Sequence, residues 1–373
     1  MTPLNGIGQQ CDRCGIIPSK IEGSGRLYLW FPVKHTLHKI LSILATKNIT
    51  FHLQDEECLN IILDKETKEW FTTVVPTKLT GKELKESQAL WMPSLEEAKF
   101  KDFARVISLQ NFLSLGQSDW LIDMLANERI TSYFQPIVYT TDTSKIFAYE
   151  ALLRGIDEQN NIIPPQRIFS QAESAGLMFQ LDAIARSTAI RQASLHGIKE
   201  HLFINFSPTS VYDPTTCLRM TVRAIDEANF SHESIVFEVA ESEQPPDISH
   251  LIKILKFYQD AGFLIALDDF GSGYSNLNLI HQLRPNFVKL DMNLIRNVHQ
   301  DSYKALITEK LLEIAQQLDI KTIAEGIETE EELNWLQERG ATFAQGFLIA
   351  KPTSPPATST PKLTSQSIAL SAS

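Results

Sequence analysis

Between residues 133 and 351, short apolar runs rich in β-branched and aromatic side chains recur at intervals: "YFQPIV", "FAYEALL", "HLFINFS", "SIVFEVA", "FLIALDD", "NFVKLDM", "IKTIAEG" and "ATFAQGFLI". Each reads as a strand bounded by polar or turn-forming residues. The intervening segments 165–197, 214–229, 247–262, 302–318 and 329–340 instead repeat their apolar positions every three or four residues, the period of a helix with one buried face. The stretch "TEEELNWLQERG" carries the full set of end signals. Thr329 is the N-cap, acids fill the first turn, Arg339 lies in the last, and Gly340 follows.

Strands alternating with helices predict a parallel sheet. Eight strands within roughly 220 residues suit a closed (β/α)8 barrel, whose usual size is about 250; an open doubly wound sheet is the structural alternative. One link departs from the pattern. Only "YTTDTSKI" separates the first two strands, too short for a helical crossover, so the first strand is expected to run antiparallel to the rest. The expected fold is thus an α/β modified TIM barrel with an antiparallel first strand.

The first hundred residues follow a different rhythm. "GRLYLWFP", "HTLHKILSILATKN", "ITFHLQ" and "LNIILD" read as strand, helix, strand and strand, a small α/β module with a regulatory or dimer-forming role as its expected use. Residues 82–128 read as mostly helical. The domain reading is therefore a module over 1–100, a helical connector over 101–128, the barrel over 129–352, and a Pro/Ser/Thr-rich tail over 353–373 expected to be disordered.

Composition narrows the function classes. The chain has 373 residues, 43% of them hydrophobic, enough for a large core. Its net charge of −11 argues against a nucleic-acid polymer as partner, since phosphate contacts need clustered Lys and Arg. Apolar runs such as "FLIAL" fall far short of the roughly 20 residues of a membrane span. The start "MTPLNGIGQQCDRCG" lacks a secretory pattern, so a cytoplasmic location is expected. Four cysteines do not make a disulfide framework. "CDRC", with Cys11 and Cys14, lacks a second paired motif to complete a zinc site, and two free thiols or a redox pair are the other readings.

Barrel strands place their chemistry at the C-terminal ends. In chain order these ends offer Gln135, Glu150, Asn205, Glu238, Asp268 with Asp269, Lys289 with Asp291, Glu325, and Gln345. Lys289 and Asp291 are two apart and share a face. Asp268 and Asp269 are adjacent and would face opposite ways unless the chain bends, which Gly271 and Gly273 permit. So many carboxylates at one mouth cannot all ionise without cations. Oxygen ligands without Cys or His favour Mg²⁺, Mn²⁺ or Ca²⁺ over zinc, and paired ions are a common device for displacement at phosphorus.

At this point the sequence resembles the EAL family of cyclic di-GMP phosphodiesterases. The motifs are "EALLR" from Glu150, "INFSP" at 204–208, "FEVAE" at 237–241, "DDFGSGYS" at 268–275, "VKLD" at 288–291, "AEGIE" at 324–328 and "QGF" at 345–347. The resemblance implies hydrolysis of cyclic di-GMP to linear pGpG with two Mg²⁺ or Mn²⁺ ions. It implies that Glu150, Asn205, Glu238 and Asp268 hold the first metal, and that Asp268 bridges to a second shared with Asp269 and Glu325. Lys289 would orient the attacking water with Asp291 assisting, and Glu325 is either a general base or a ligand. Glu241 would anchor the loop through Ser272. Gln135, Arg154 and Gln345 are the implied substrate contacts, and Glu328 joins Gln345 in support of the metal ligands. A homodimer is likewise implied.

Two departures stand out. Ser272 replaces the more usual threonine but keeps the hydroxyl. Gly155 stands where many members have Trp, which is expected to alter one wall of the substrate pocket. The alternative function is a catalytically silent cyclic di-GMP receptor that signals through the N-terminal module, whose own signal or partner the sequence does not name.

Overall fold

The computed structural model of the protein describes residues 17, 20–21, 23–93, 95–207, 214–240, 248–271 and 277–363. The chain forms two compact units, one built from Ile16–Arg129 with Gly155–Leu181, the other containing Ile130–Arg154 and Asp182–Ser373.

The first unit holds a sheet of β1 (Gly25–Trp30), β2 (Phe51–Leu53), β3 (Cys58–Leu63), β4 (Gln88–Met92) and β5 (Ile107–Ser108) in the order β2-β3-β1-β4-β5, every pair antiparallel. Period-two alternation divides its residues between faces. Leu27, Leu29, Leu59, Ile61 and Ala89 pack with Ile40 and Leu44 of helix Lys34–Thr46 and with Phe71 and Val75 of helix Lys65–Lys78. Tyr28, Leu90 and Met92 form a second cluster against Ala98 and Val106.

Residues 82–128 are mostly helical as expected, but the stretch also holds strand β4, which the sequence pattern does not show. "QALWM" has apolar residues on both faces, since Ala89 and Trp91 join one cluster while Leu90 and Met92 join the other. An alternation of two apolar faces leaves no visible polar period.

The second unit is the barrel. Its strands are β6 (Ile130–Tyr139), β7 (Asp142–Ile156), β9 (His201–Asn205), β10 (Ile235–Ala240), β11 (Leu264–Phe270), β12 (Phe287–Leu290), β13 (Lys321–Ala324) and β14 (Phe343–Ala344). The short β8 (Ile162–Ile163) pairs only with the end of β7. Neighbours run β6-β14-β13-β12-β11-β10-β9-β7, and a β6–β7 pairing closes the ring. β14 through β7 are mutually parallel and β6 pairs with β14 antiparallel, as the short link between the first two strands requires.

The helices follow the sequence pattern with one refinement. Segment 165–197 is two helices, Pro165–Ala175 and Met178–Leu195, because Gly176 terminates the first in the left-handed region at φ 70°. Thr329 and Glu332 form a reciprocal capping box on helix Glu330–Glu338. Among the described residues no helix is long and apolar enough to cross a membrane.

Eight buried side chains, one from each strand, fill the barrel interior: Ile137, Ala148, Phe203, Val236, Ala266, Phe287, Ile323 and Phe343. Phe147 stacks on Phe343 with ring centroids 3.9 Å apart, extending this floor.

The tail differs from expectation over 353–363. Thr353 bridges to Phe134, Thr143 Oγ1 donates to Pro361 O at 2.7 Å and Leu363 N–H donates back to Thr143 Oγ1, and Tyr149 OH donates to Ala357 O at 2.8 Å. Backbone and hydroxyl pairing with the first two barrel strands supplies the order that the tail's few apolar residues do not. Residues 364–373 lie outside the described set, as do Cys11 and Cys14.

Candidate active site

The polar residues sit directly above the apolar floor because strand side chains repeat every second residue. Ala148 is followed by Glu150, Phe203 by Asn205, Val236 by Glu238, Ala266 by Asp268, Phe287 by Lys289, Ile323 by Glu325 and Phe343 by Gln345, each two positions on. In the reversed strand β6, Gln135 precedes Ile137. Glu238 is level with Asn205 and Ala266 with Phe287, whereas Glu150 is level with Phe203, Glu238 with Ala266 and Lys289 with Ile323, so the layer steps by two residues between alternate strand pairs.

Lys289 is the centre of the layer, 1% exposed. Its Nζ lies 2.6 Å from Glu325 Oε1, 2.7 Å from Glu238 Oε1, 3.2 Å from Asp268 Oδ1 and 3.4 Å from Glu150 Oε2. Burial alone would push this ammonium down, but Asp268, Glu150, Glu238 and Glu325 together outweigh it and hold its pKa well above the ordinary value.

One cation does not balance four carboxylates. Burial first, and then the charge of Glu150, push Glu238 well above the usual carboxylate range. Glu325 is pushed up to about 8, by burial above all, with Lys289 opposing and Asp268 and Glu150 adding. Asp269 rises to about 6 through burial and the neighbouring Asp268 and Asp291.

The two adjacent aspartates both reach the site because β11 is irregular. Its register against β12 shifts between Leu267 and Phe270, Asp269 takes the left-handed region at φ 55°, and Gly271 follows at φ 96°. Asp268, Asp269 and Glu325 each offer an oxygen within 4.8 Å of the others. Glu238 Oε2 is buried without a hydrogen-bond partner among the described residues. Converging carboxylate oxygens, one of them an orphan, and an excess of negative charge fit hard divalent cations.

Around this core, Glu150 is held from both sides. Its Oε1 accepts from Asn205 Nδ2 at 3.3 Å and its Oε2 from Gln345 Nε2 at 2.7 Å. Gln345 Nε2 also donates to Gln135 Oε1 at 3.1 Å, and Gln135 Nε2 to Ala350 O at 3.1 Å. Arg154 lies over the Tyr133 ring at 5.1 Å, half-buried, its pKa lowered by that burial.

Asp291 and Glu328 have partners that the sequence does not name. The Asp291 carboxylate caps the short helix Met292–Ile295 by accepting from Asn293 N–H at 2.8 Å, and its charge helps to raise Asp269. Glu328 is 44% exposed in its side chain and pairs with Arg296, outside the carboxylate cluster. Glu241 and Ser272 lie outside the described residues.

Gly155 also has a different setting from a pocket wall. A Cβ there would come within 2.6 Å of Met124 Sδ and 2.9 Å of Ile168 Cδ1, so the position has no room for a bulky side chain. Gly346 is as constrained, a Cβ falling 2.1 Å from Ile327 O where the chain after β14 crosses the chain after β13.

Asp182 and Arg186, which the sequence pattern does not single out, form a buried ion pair on helix Met178–Leu195 that contacts the residues just after Asn205. Opposite charges four apart on an apolar helix face were the available signal.

Comparison with known proteins places these features in context. The EAL domain family model matches residues 118–352. Probable cyclic di-GMP phosphodiesterase PdeG of Escherichia coli is 31% identical over 233 residues, 61% of this chain and 45% of that protein. Cyclic di-GMP phosphodiesterase PdeR of the same organism is 29% identical over 61% of this chain and 34% of its own length. The chain thus spans less than half of either relative. Among solved structures, a standalone EAL protein from Vibrio cholerae in its c-di-GMP-bound form aligns with TM-score 0.58 and 38% identity, covering 62% of this chain and 95% of that one.

Proposed function

The chain belongs to the EAL domain family, and from that premise together with the strand-end layer we propose that it is a metal-dependent phosphodiesterase that hydrolyses cyclic di-GMP to linear pGpG. The observation that carries the reading is Lys289, a buried ammonium ringed by Glu150, Glu238, Asp268 and Glu325 at the strand ends. An inert barrel gains nothing from so much uncompensated charge in its interior.

In this reading Glu150, Asn205, Glu238 and Asp268 hold one Mg²⁺ or Mn²⁺, and Asp268, Asp269 and Glu325 hold a second. Bound there, the ions supply water activation near neutral pH and neutralise phosphate oxygens. Lys289 does the complementary work. Its ammonium can donate to the attacking water and fix its lone pair toward phosphorus, while its charge opposes the protonation that burial favours at Glu238 and Glu325. Attack forms a P–O bond to the water oxygen and breaks the ring P–O bond to ribose, and the proton that the water gives up balances the one that the departing oxygen takes up.

Gln345 and Asn205 orient Glu150 from either side, and Gln135 holds Gln345 in turn. Arg154 offers a forked donor to a phosphate at the rim. Asp291 acts through the helix it caps, and Glu328 through Arg296.

Equilibrium dialysis of the chain with cyclic di-GMP and Mg²⁺ tests the reading. Nucleotide recovered as pGpG supports the enzyme. Nucleotide retained but recovered intact would make the chain a receptor, and no retention would overturn both.

A further inference from the structure

Helix Met178–Leu195 carries a buried ion pair. Asp182 and Arg186 are 8% and 3% exposed, and Arg186 Nη1 pairs with Asp182 Oδ2. Arg186 Nε donates to Thr221 Oγ1 of helix Pro214–Glu227 at 3.2 Å, and its guanidinium lies 5.4 Å from the centroid of the Phe206 ring. The second oxygen of the carboxylate, Asp182 Oδ1, accepts from Ser207 N–H at 3.2 Å.

One clasp therefore joins two helices to the residues immediately after β9. Asn205 is the last residue of β9, and its side chain is exposed, with a contact to Glu150 of 3.3 Å. Its backbone is held on the near side by the ladder to β10, where it lies level with Glu238, and Phe206 N–H donates to Glu238 O at 2.9 Å. On the far side Asp182 holds the Ser207 N–H.

A buried ion pair is a poor way to stabilise a helix contact, since an apolar pair of equal volume commonly does as well or better. What an apolar pair lacks is a directional acceptor. Arg186 locks the carboxylate, and the carboxylate fixes one backbone N–H two residues beyond Asn205.

We propose that Asp182, oriented by Arg186, is a positioning residue for Asn205, fixing the exit of β9 so that the Asn205 amide stays against Glu150 where a divalent ion is held. The assignment rests on the reading of the carboxylate layer as a metal site.

Calorimetric titration of the full chain with Mn²⁺, paired with melting curves, tests it. The apolar double variant Asp182→Leu, Arg186→Met removes the clasp without leaving an unpaired charge. It is expected to melt near the wild type yet bind Mn²⁺ about tenfold more weakly, the size of effect typical of groups that orient a metal ligand. The Mn²⁺ concentration for half-maximal hydrolysis should shift equally, while the rate at saturating Mn²⁺ changes little. The polar double variant Asp182→Asn, Arg186→Gln retains an acceptor for Ser207 and should keep wild-type affinity.

Unchanged Mn²⁺ affinity in the apolar variant would overturn the assignment. So would an equal loss in the polar one, which also decides the matter if the apolar variant unfolds. A wild-type chain that binds no Mn²⁺ would instead refute the metal reading, and this assignment with it.

Discussion

At the scale of single residues, the site is a problem in charge balance. Lys289 is the only cation within ion-pair distance of Glu150, Glu238, Asp268 and Glu325 among the described residues. Lys289→Met should therefore lower the stability of the metal-free chain by about 3–5 kcal/mol. Hydrolysis should fall by about a hundredfold or more, the loss seen when one preorganised donor is removed. Melting curves with and without Mn²⁺ check the first claim, since added ions should recover part of the stability but little of the rate. Glu325 gives a pH prediction with a definite sign. Its folded pKa of about 8 exceeds the ordinary carboxylate value of an unfolded chain, so the folded state holds the extra proton. That contribution is complete below the unfolded pKa and is lost as pH rises through about 8. In chelator, Glu325→Gln should melt about 2 °C or more above the wild type at pH 9, with the gap closing toward pH 5. Parallel curves would contradict the assigned burial.

At the scale of elements, β11 shows how a strand departs from its own period to serve a site. A regular strand would turn Asp269 away from Asp268, and the shift in register with Asp269 at φ 55° and Gly271 at φ 96° turns both inward. Gly271→Ala would place a Cβ 2.3 Å from Leu294 Cδ1 in a conformation unfavourable to L residues. It should cost about 1–3 kcal/mol and weaken Mn²⁺ binding together, measured by melting and calorimetry; an unaffected affinity would mean the bend is not what places the aspartates. Much of this site was legible beforehand because strand-end chemistry survives in a one-dimensional pattern. An apolar residue, a spacer and a polar residue recur on seven strands, and in reverse on the antiparallel first. What was illegible needed a third dimension. The capping role of Asp291 depends on where the next helix starts, and the partner of Glu328, Arg296, lies 32 positions away in the chain. Strand β4 was hidden because both its faces are apolar, and the order of 353–363 because it rests on backbone pairing that composition does not reveal.

At the scale of the whole molecule, the division into two units does not follow the chain. Gly155–Leu181 belongs with Ile16–Arg129 although it is flanked on both sides by barrel sequence. Within that unit Gln171 Nε2 donates to Ser118 Oγ at 2.7 Å, Arg167 lies 4.8 Å over Trp120, and Ile168, Ala172 and Ala175 are buried. A fragment beginning at residue 130 would strip the partners from this apolar helix face. It should melt lower than the full chain and bind a hydrophobic dye, and an unchanged melting temperature would show that 155–181 folds without residues 16–129. The units divide between Arg129 and Ile130, near the start expected for the barrel, while 155–181 groups with residues 16–129. The central claim is that the strand-end layer uses divalent ions to cut a cyclic dinucleotide, and the most direct measurement is a chromatographic time course. Wild type, Glu150→Ala and chelated wild type would be incubated side by side with cyclic di-GMP and Mn²⁺. The account predicts linear pGpG from the untreated wild type alone, whereas product formed equally by Glu150→Ala or in chelator would contradict it.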